Sequence, residues 1–206
     1  MTIVARIPWA LALVLLAAPA DAGIVKGPHL QDVRADRVTV VWEQQTAGSG
    51  SVTVGANVVP SSSARVHEVV VTGLTPGTAY TYSVSADGAT EGGGFTTAPS
   101  DPLAPFTFVV VGDNRSVHSD HELVVNAIIA EGPLDFLINT GDMVSSGSSA
   151  ADWQTFFDVE RELLRGNVVW PCLGNLDREG ASRRADSYRR YFAVPADTPD
   201  PERYYA

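Results

Sequence analysis

The chain is short of cysteine, of positive charge and of long hydrophobic runs, and each shortage closes off a class of function. One cysteine, Cys172, stands among 206 residues, so no intramolecular disulfide can form. It lies within Val-Val-Trp-Pro-Cys-Leu-Gly and reads as a buried small hydrophobe rather than a reactive thiol. Lys and Arg number 14 against 24 Asp and Glu, a formal charge of −10. That balance argues against nucleic acid as a partner. Acidity hints at cation binding, although most surface carboxylates are simply solvated. Only one long apolar run occurs, over 7–18. It is shorter than the roughly 20 residues a membrane span needs, and Pro8 and Pro19 flank it. With Arg6 before it and Ala20-Asp21-Ala22 after it, the segment 1–22 reads as a cleaved export signal. The expectation is a secreted or periplasmic protein with no stable membrane anchor. Apolar content of 45% is ordinary for a packed core, and the length suits one or two domains.

From residue 27 to about 98 the pattern is short strands and turns. Alternation places Val38, Val40 and Trp42 on one face of a strand over 37–43. Further strands are expected over 51–54, 66–71, 79–84 and 95–97. Their spacing, with Gly, Ser and Asn turns between, predicts an antiparallel all-β sandwich. His29 and His67 read as surface or turn residues. Leu74-Thr75-Pro76-Gly77-Thr78-Ala79-Tyr80, with Trp42 on an earlier strand, resembles a fibronectin type III-like domain over 24–98. The resemblance implies a corner hydrogen bond from Tyr80 and a core filled by Trp42. Such a domain is either a binding module or a structural appendage, and the appendage is the favoured reading. The proline-rich stretch 99–105 reads as a stiff linker.

Beyond 106 the periodicity changes. Phe-Thr-Phe-Val-Val-Val runs into Gly112-Asp113-Asn114-Arg115, the signature of a buried parallel strand ended by a polar turn. Ser119 to Glu122 reads as a capping box for a helix with Leu123, Val124, Ala127 and Ile128 inward, stopped at Gly132-Pro133. A strand over 135–139 leads to Gly141-Asp142. Ser149 caps a second helix with the core stripe Trp153, Phe156, Phe157, Leu163 and Leu164. A strand over 168–173 then leads to Gly174-Asn175-Leu176-Asp177. The order β-α-β-α-β implies right-handed crossovers and a parallel sheet. Three strand ends then emerge on one side, where open α/β sheets place ligands.

Asp113, Asp142 and Asn175 would supply two carboxylates and an amide oxygen to that rim, donors that suit hard cations. One Gly-Asp after a strand is usually a turn; three in succession suggest a metal site, with Asp142 the natural bridge. A metal pair about 4 Å apart would lower the pKa of a bound water and supply the nucleophile. These three blocks resemble the first three motifs of the calcineurin-like metallophosphoesterases, and the preceding fibronectin-like domain points to the purple acid phosphatase branch. The resemblance implies a catalytic α/β domain from 106 to 206, incomplete in its C-terminal half, and two divalent or trivalent metal ions (Fe, Mn or Zn). It implies metal ligation by Asp113, Asp142 and Asn175. Asp142, Asn175 and Arg115 would act in catalysis, and Asn114, Arg115 and Asn175 would grip a small phosphate ester.

The sequence departs from that pattern at four points. Arg115 takes a position usually held by His; a guanidinium cannot ligate metal but can clamp phosphate. Ser145 replaces the Tyr ligand of purple acid phosphatases, so no purple iron–tyrosinate centre is expected. Leu176 replaces a His thought to assist the leaving group, a loss worth about 10²–10⁴ in rate. No later histidine block follows within the 101 residues from 106 onward. His118 and His121 read as decoration of a helix start rather than substitute ligands. Two functions remain: an exported metal-dependent phosphoesterase, truncated and of doubtful activity, or a catalytically dead binding protein using the fibronectin-like module or the acidic rim.

Overall fold

A computed structural model describes residues 23–180 and 184–193. The expected export signal lies outside the described residues. The first of two sheets is antiparallel, with strands β1 Ile24–Gln31, β2 Arg37–Val54, β3 Asn57–Thr72, β4 Ala79–Ala86 and β5 Ala89–Thr96. The second is parallel, in the order β6-β7-β8: β6 Phe108–Val111, β7 Phe136–Asn139 and β8 Val169–Pro171. Helix α1 (His118–Glu131) links β6 to β7, α2 (Ala150–Gly166) links β7 to β8, and α3 (Asp186–Tyr191) follows.

The stretches 37–43 and 51–54 are the two ends of one strand. The first half of β2 pairs with β1 and β3, and its second half pairs with β3 and β4. Register shifts between Glu43 and Gly50 absorb the Gly- and Ser-containing stretch that reads as a turn; such bulges bend a strand. A single sheet therefore curls around Leu30, Val38, Val40, Trp42, Val52, Val71 and Val84, instead of two sheets packing face to face. Tyr80 Oη accepts from the Thr75 amide at 3.0 Å, the corner bond expected there.

Several local expectations are corrected. His67 is buried and stacked on Trp42, with ring centroids 4.4 Å apart, because it shares the inward period-two face of β3 with Val69 and Val71. Helix α1 is capped by Val117 without a side-chain bond, and Ser119 sits inside its first turn. Its inward face is His121, Val125 and Ile128, while Leu123 and Val124 are exposed. Strand β6 is covered on one face only: Phe108 and Val110 are 45% and 54% exposed. Cys172 is exposed, because β8 ends at Pro171 and leaves it in the following loop. Ser149 does cap α2, accepting from the Asp152 amide at 3.1 Å. No helix among the described residues is long and apolar enough to cross a membrane.

The two sheets are tied together through α2. Gln154 Nε2 donates to the Val25 carbonyl at 2.8 Å, and Arg161 donates to the Val25 and Gly27 carbonyls. Arg165 Nε reaches the Gly92 carbonyl at 2.8 Å, and Tyr82 Oη donates to the Arg165 carbonyl at 3.0 Å. These bonds satisfy backbone groups that would otherwise be buried without partners. His29, read as a surface residue, is buried in this joint with its ring against Phe157 and Phe192. Its Nε2–H donates to the Tyr191 carbonyl at 2.9 Å.

Burial lowers the His29 imidazole from 6.5 to about 4, a fall only partly offset by the Tyr191 bond. The folded protein thus keeps His29 neutral while the unfolded chain takes up a proton below 6.5. Stability is full above that value and is lost as pH falls towards about 4, by up to roughly 3 kcal/mol from this residue. Denaturant unfolding at pH 7 and pH 4.5 is expected to show a smaller acid loss for His29→Gln than for the wild type. Identical pH slopes would contradict the assignment.

Candidate functional site

The polar turns ending the three parallel strands meet at one rim. Asp113 and Asp142 each adopt φ of +53, a left-handed conformation that Asp tolerates better than most residues. The loops are stitched together by backbone bonds, Asp113 N to the Gly141 carbonyl at 3.0 Å and Thr140 N to the Val111 carbonyl at 2.8 Å. Gly141, at φ +98, lies against the backbone of Gly174, and Gly174 lies against Asp142. A side chain at either glycine would collide with the facing loop, so the repeated Gly is a packing requirement of the rim.

Asp177 locks the arrangement. Its buried carboxylate accepts four backbone N–H groups: Oδ1 from Met143 and Val144 at 2.8 and 3.3 Å, Oδ2 from Asp142 and Gly174 at 2.9 and 2.8 Å. Burial raises its pKa, a rise that the four donors only partly offset. The last acidic residue of the third motif is therefore a brace. Asp177 stands three residues after Gly174; the partner loop lies more than thirty positions upstream and leaves no local trace.

Arg115 is the centre of the rim. A single guanidinium nitrogen, Nη1, donates to Asp113 Oδ1 at 2.5 Å and to Asp142 Oδ2 at 2.9 Å. Asp113 is 75% exposed and Asp142 only 15%. A pair as open as the first is worth about 0–1 kcal/mol, so the sheltered Asp142 bond dominates. Asp142 Oδ1 accepts from the Leu176 amide at 3.0 Å. Asn175, next to Leu176, is exposed on that loop. Asn114 is mostly buried, and its Oδ1 accepts from Asn139, whose own Oδ1 holds the Gly141 amide. The structure thus brings Asp113, Asp142 and Arg115 together, sets Asn175 on the adjoining loop, and gives Asn114 a bracing bond.

His121 is not aimed at the carboxylates. It packs on Phe156, and its Nε2 meets Glu160 Oε1 at 2.8 Å in a buried pair. His118 and His121 line a cavity of about 250 Å³ beside Arg115, with Asn114, Ser145 and Phe156. A second cavity, on the Asp113 side, is also lined by Arg115. No group of three or more His, Cys, Asp or Glu side chains able to hold a metal occurs among the described residues. The donors that do converge, two carboxylates, suit a hard cation by type. They make a partial seat, which in this structure already holds a guanidinium.

No family model matches the chain. Two uncharacterized Mycobacterium tuberculosis proteins, MT2654 of strain CDC 1551 / Oshkosh and Rv2577 of strain ATCC 25618 / H37Rv, are each 30% identical over 184 residues, covering 76% of this chain and 34% of their own. The chain thus spans about a third of the length of the curated relatives it matches. The purple acid phosphatase PPD1 from yellow lupin (Lupinus luteus) seeds superposes with a TM-score of 0.69 at 17% identity, over 83% of this chain and 41% of that one. PhoD superposes with a TM-score of 0.62 at 11% identity, over 90% and 49%. The chain shares their fold.

Removing the Asp177 brace strands four N–H donors at once. Asp177→Ala is expected to cost about 3 kcal/mol or more, and Asp177→Asn less, because one acceptor oxygen remains. Denaturant midpoints with unchanged m-values test this, and a near-neutral Asp177→Ala would show that the loops do not depend on it.

Proposed function

We propose that this chain carries the strand-end rim of a phosphate-ester hydrolase, with Asp113, Asp142 and Asn175 as the seat for a divalent cation and Arg115 as the phosphate grip. The observation that carries this reading is the convergence of Asp113 and Asp142 on one nitrogen of Arg115, at strand ends of a fold shared with a purple acid phosphatase and PhoD. A bound cation would supply an activated water and charge neutralisation. The chain's own part is to orient the ester: Arg115 presents a planar fork to two phosphate oxygens, and Asn114 holds the loop that carries it. The loop residues Gly174 to Asp177 keep Asp142 fixed through the Leu176 amide. Leu176 offers no proton to a leaving group, so esters whose alcohols depart unaided are the expected substrates. The curled β-sheet over 24–98 is read as a fibronectin-like scaffold, joined by 99–105 to the hydrolase part from 106 to 206, in an exported protein.

A second reading, a catalytically dead binding protein, is favoured by the Arg115 ion pairs that occupy the seat. Hydrolysis of an activated aryl phosphate in the presence of Mn²⁺ separates the two. The hydrolase reading expects turnover that Asp142→Ala lowers by about a hundredfold or more. A well-folded protein that binds phosphate but shows no Asp142-dependent turnover would establish the binder instead.

A further inference from the structure

The sharpest feature of the rim is that its two carboxylates are already neutralised from within. Nη1 of Arg115 lies 2.5 Å from Asp113 Oδ1 and 2.9 Å from Asp142 Oδ2, which is the position a cation shared by those two residues would need. A guanidinium stays protonated at any pH the fold survives, so raising the pH does not clear the seat. We propose that Arg115 is a resident counter-cation of this rim, and that its pairing with Asp113 and Asp142 and the binding of a divalent metal ion exclude one another.

The surroundings permit the exchange. Arg115 is 30% exposed and lines the cavities on both sides of it, one shared with Asp113 and Asp120, the other with His118 and Ser145. The side chain can therefore leave the carboxylates without breaking packed core. Its bond to Asp113 is open to solvent and weak; the bond to the sheltered Asp142 holds it in place. Two carboxylates left without either cation would repel each other, so the seat is filled by one cation or the other. Displacement by metal also frees the guanidinium for an anion, which makes Arg115 the element that couples metal loading to phosphate capture. This inference rests on the proposed hydrolase reading for the metal seat, and it assigns Arg115 a role that reading does not need.

Calorimetric titration of the purified protein with Mn²⁺ tests it without requiring turnover. Arg115→Gln and Arg115→Met, each checked for an unchanged melting profile, are expected to bind Mn²⁺ about tenfold or more tightly than the wild type, a change of about 1.4 kcal/mol. Adding Asp142→Asn to either variant is expected to abolish the gain. Equal, Asp142-dependent affinity in the wild type and both Arg115 variants would overturn the exclusion and leave the hydrolase reading standing. A gain that survives Asp142→Asn would place the metal elsewhere and overturn the inference. Absence of any Asp142-dependent Mn²⁺ binding, even without Arg115, would overturn the inference and the hydrolase reading together.

Discussion

Four backbone N–H groups from two loops converge on the carboxylate of Asp177, and the geometry of the rim depends on that convergence. It holds the Asp142 backbone in place, beside the Leu176 amide that holds its side chain. The Asp142 φ of +53 is a conformation that the chain holds only when its surroundings over-determine it. The brace supplies that constraint from one side, and the bond from Asp113 N to the Gly141 carbonyl supplies it from the other. The glycines of the three motifs follow from the same requirement. They are where loops approach too closely for a Cβ, and this explains why a Gly precedes the polar residue at every strand end.

The rim is supported from below by a joint rather than by a free-standing α/β layer. Helix α2 presents Trp153, Phe156, Phe157, Leu163 and Leu164 to one core and spends its polar side chains on the backbone of β1 and β5. The first sheet thereby buttresses the helix between β7 and β8, the two strands whose ends carry Asp142 and Asn175. His29 sits in this joint as a neutral, hydrogen-bonded imidazole, so its protonation in acid weakens the joint.

The strands that end in Gly-Asp and Gly-Asn were legible because apolar runs, Gly and a polar stop are local signals. So was the stripe of α2, whose period is carried by large aromatic residues. Strand β1 was not: Ile-Val-Lys-Gly-Pro-His-Leu-Gln shows no alternation, because its polar residues are buried against distant partners. Lys26 pairs with Glu43, His29 bonds the Tyr191 carbonyl, and Gln31 Oε1 accepts from the Ala193 amide at 2.6 Å. The inward face of α1 was misjudged for the same reason, since His121 turns inward to meet Glu160, 39 positions away. Within the rim, residue types announced Asp113 and Asp142. The ion pairs of Arg115 and the bracing by Asp177 depend on side-chain approach across loops, which composition and spacing do not encode.

Whether Asp113 and Asp142 face a single cation seat is tested most directly by an anomalous difference map from crystals of the Arg115→Gln protein grown with Mn²⁺. The expected result is a peak within bonding distance of carboxylate oxygens from both residues, about 2.2 Å for a hard cation and oxygen donors. Ordered Asp113 and Asp142 side chains with no peak between them, or with their oxygens turned apart, would contradict it.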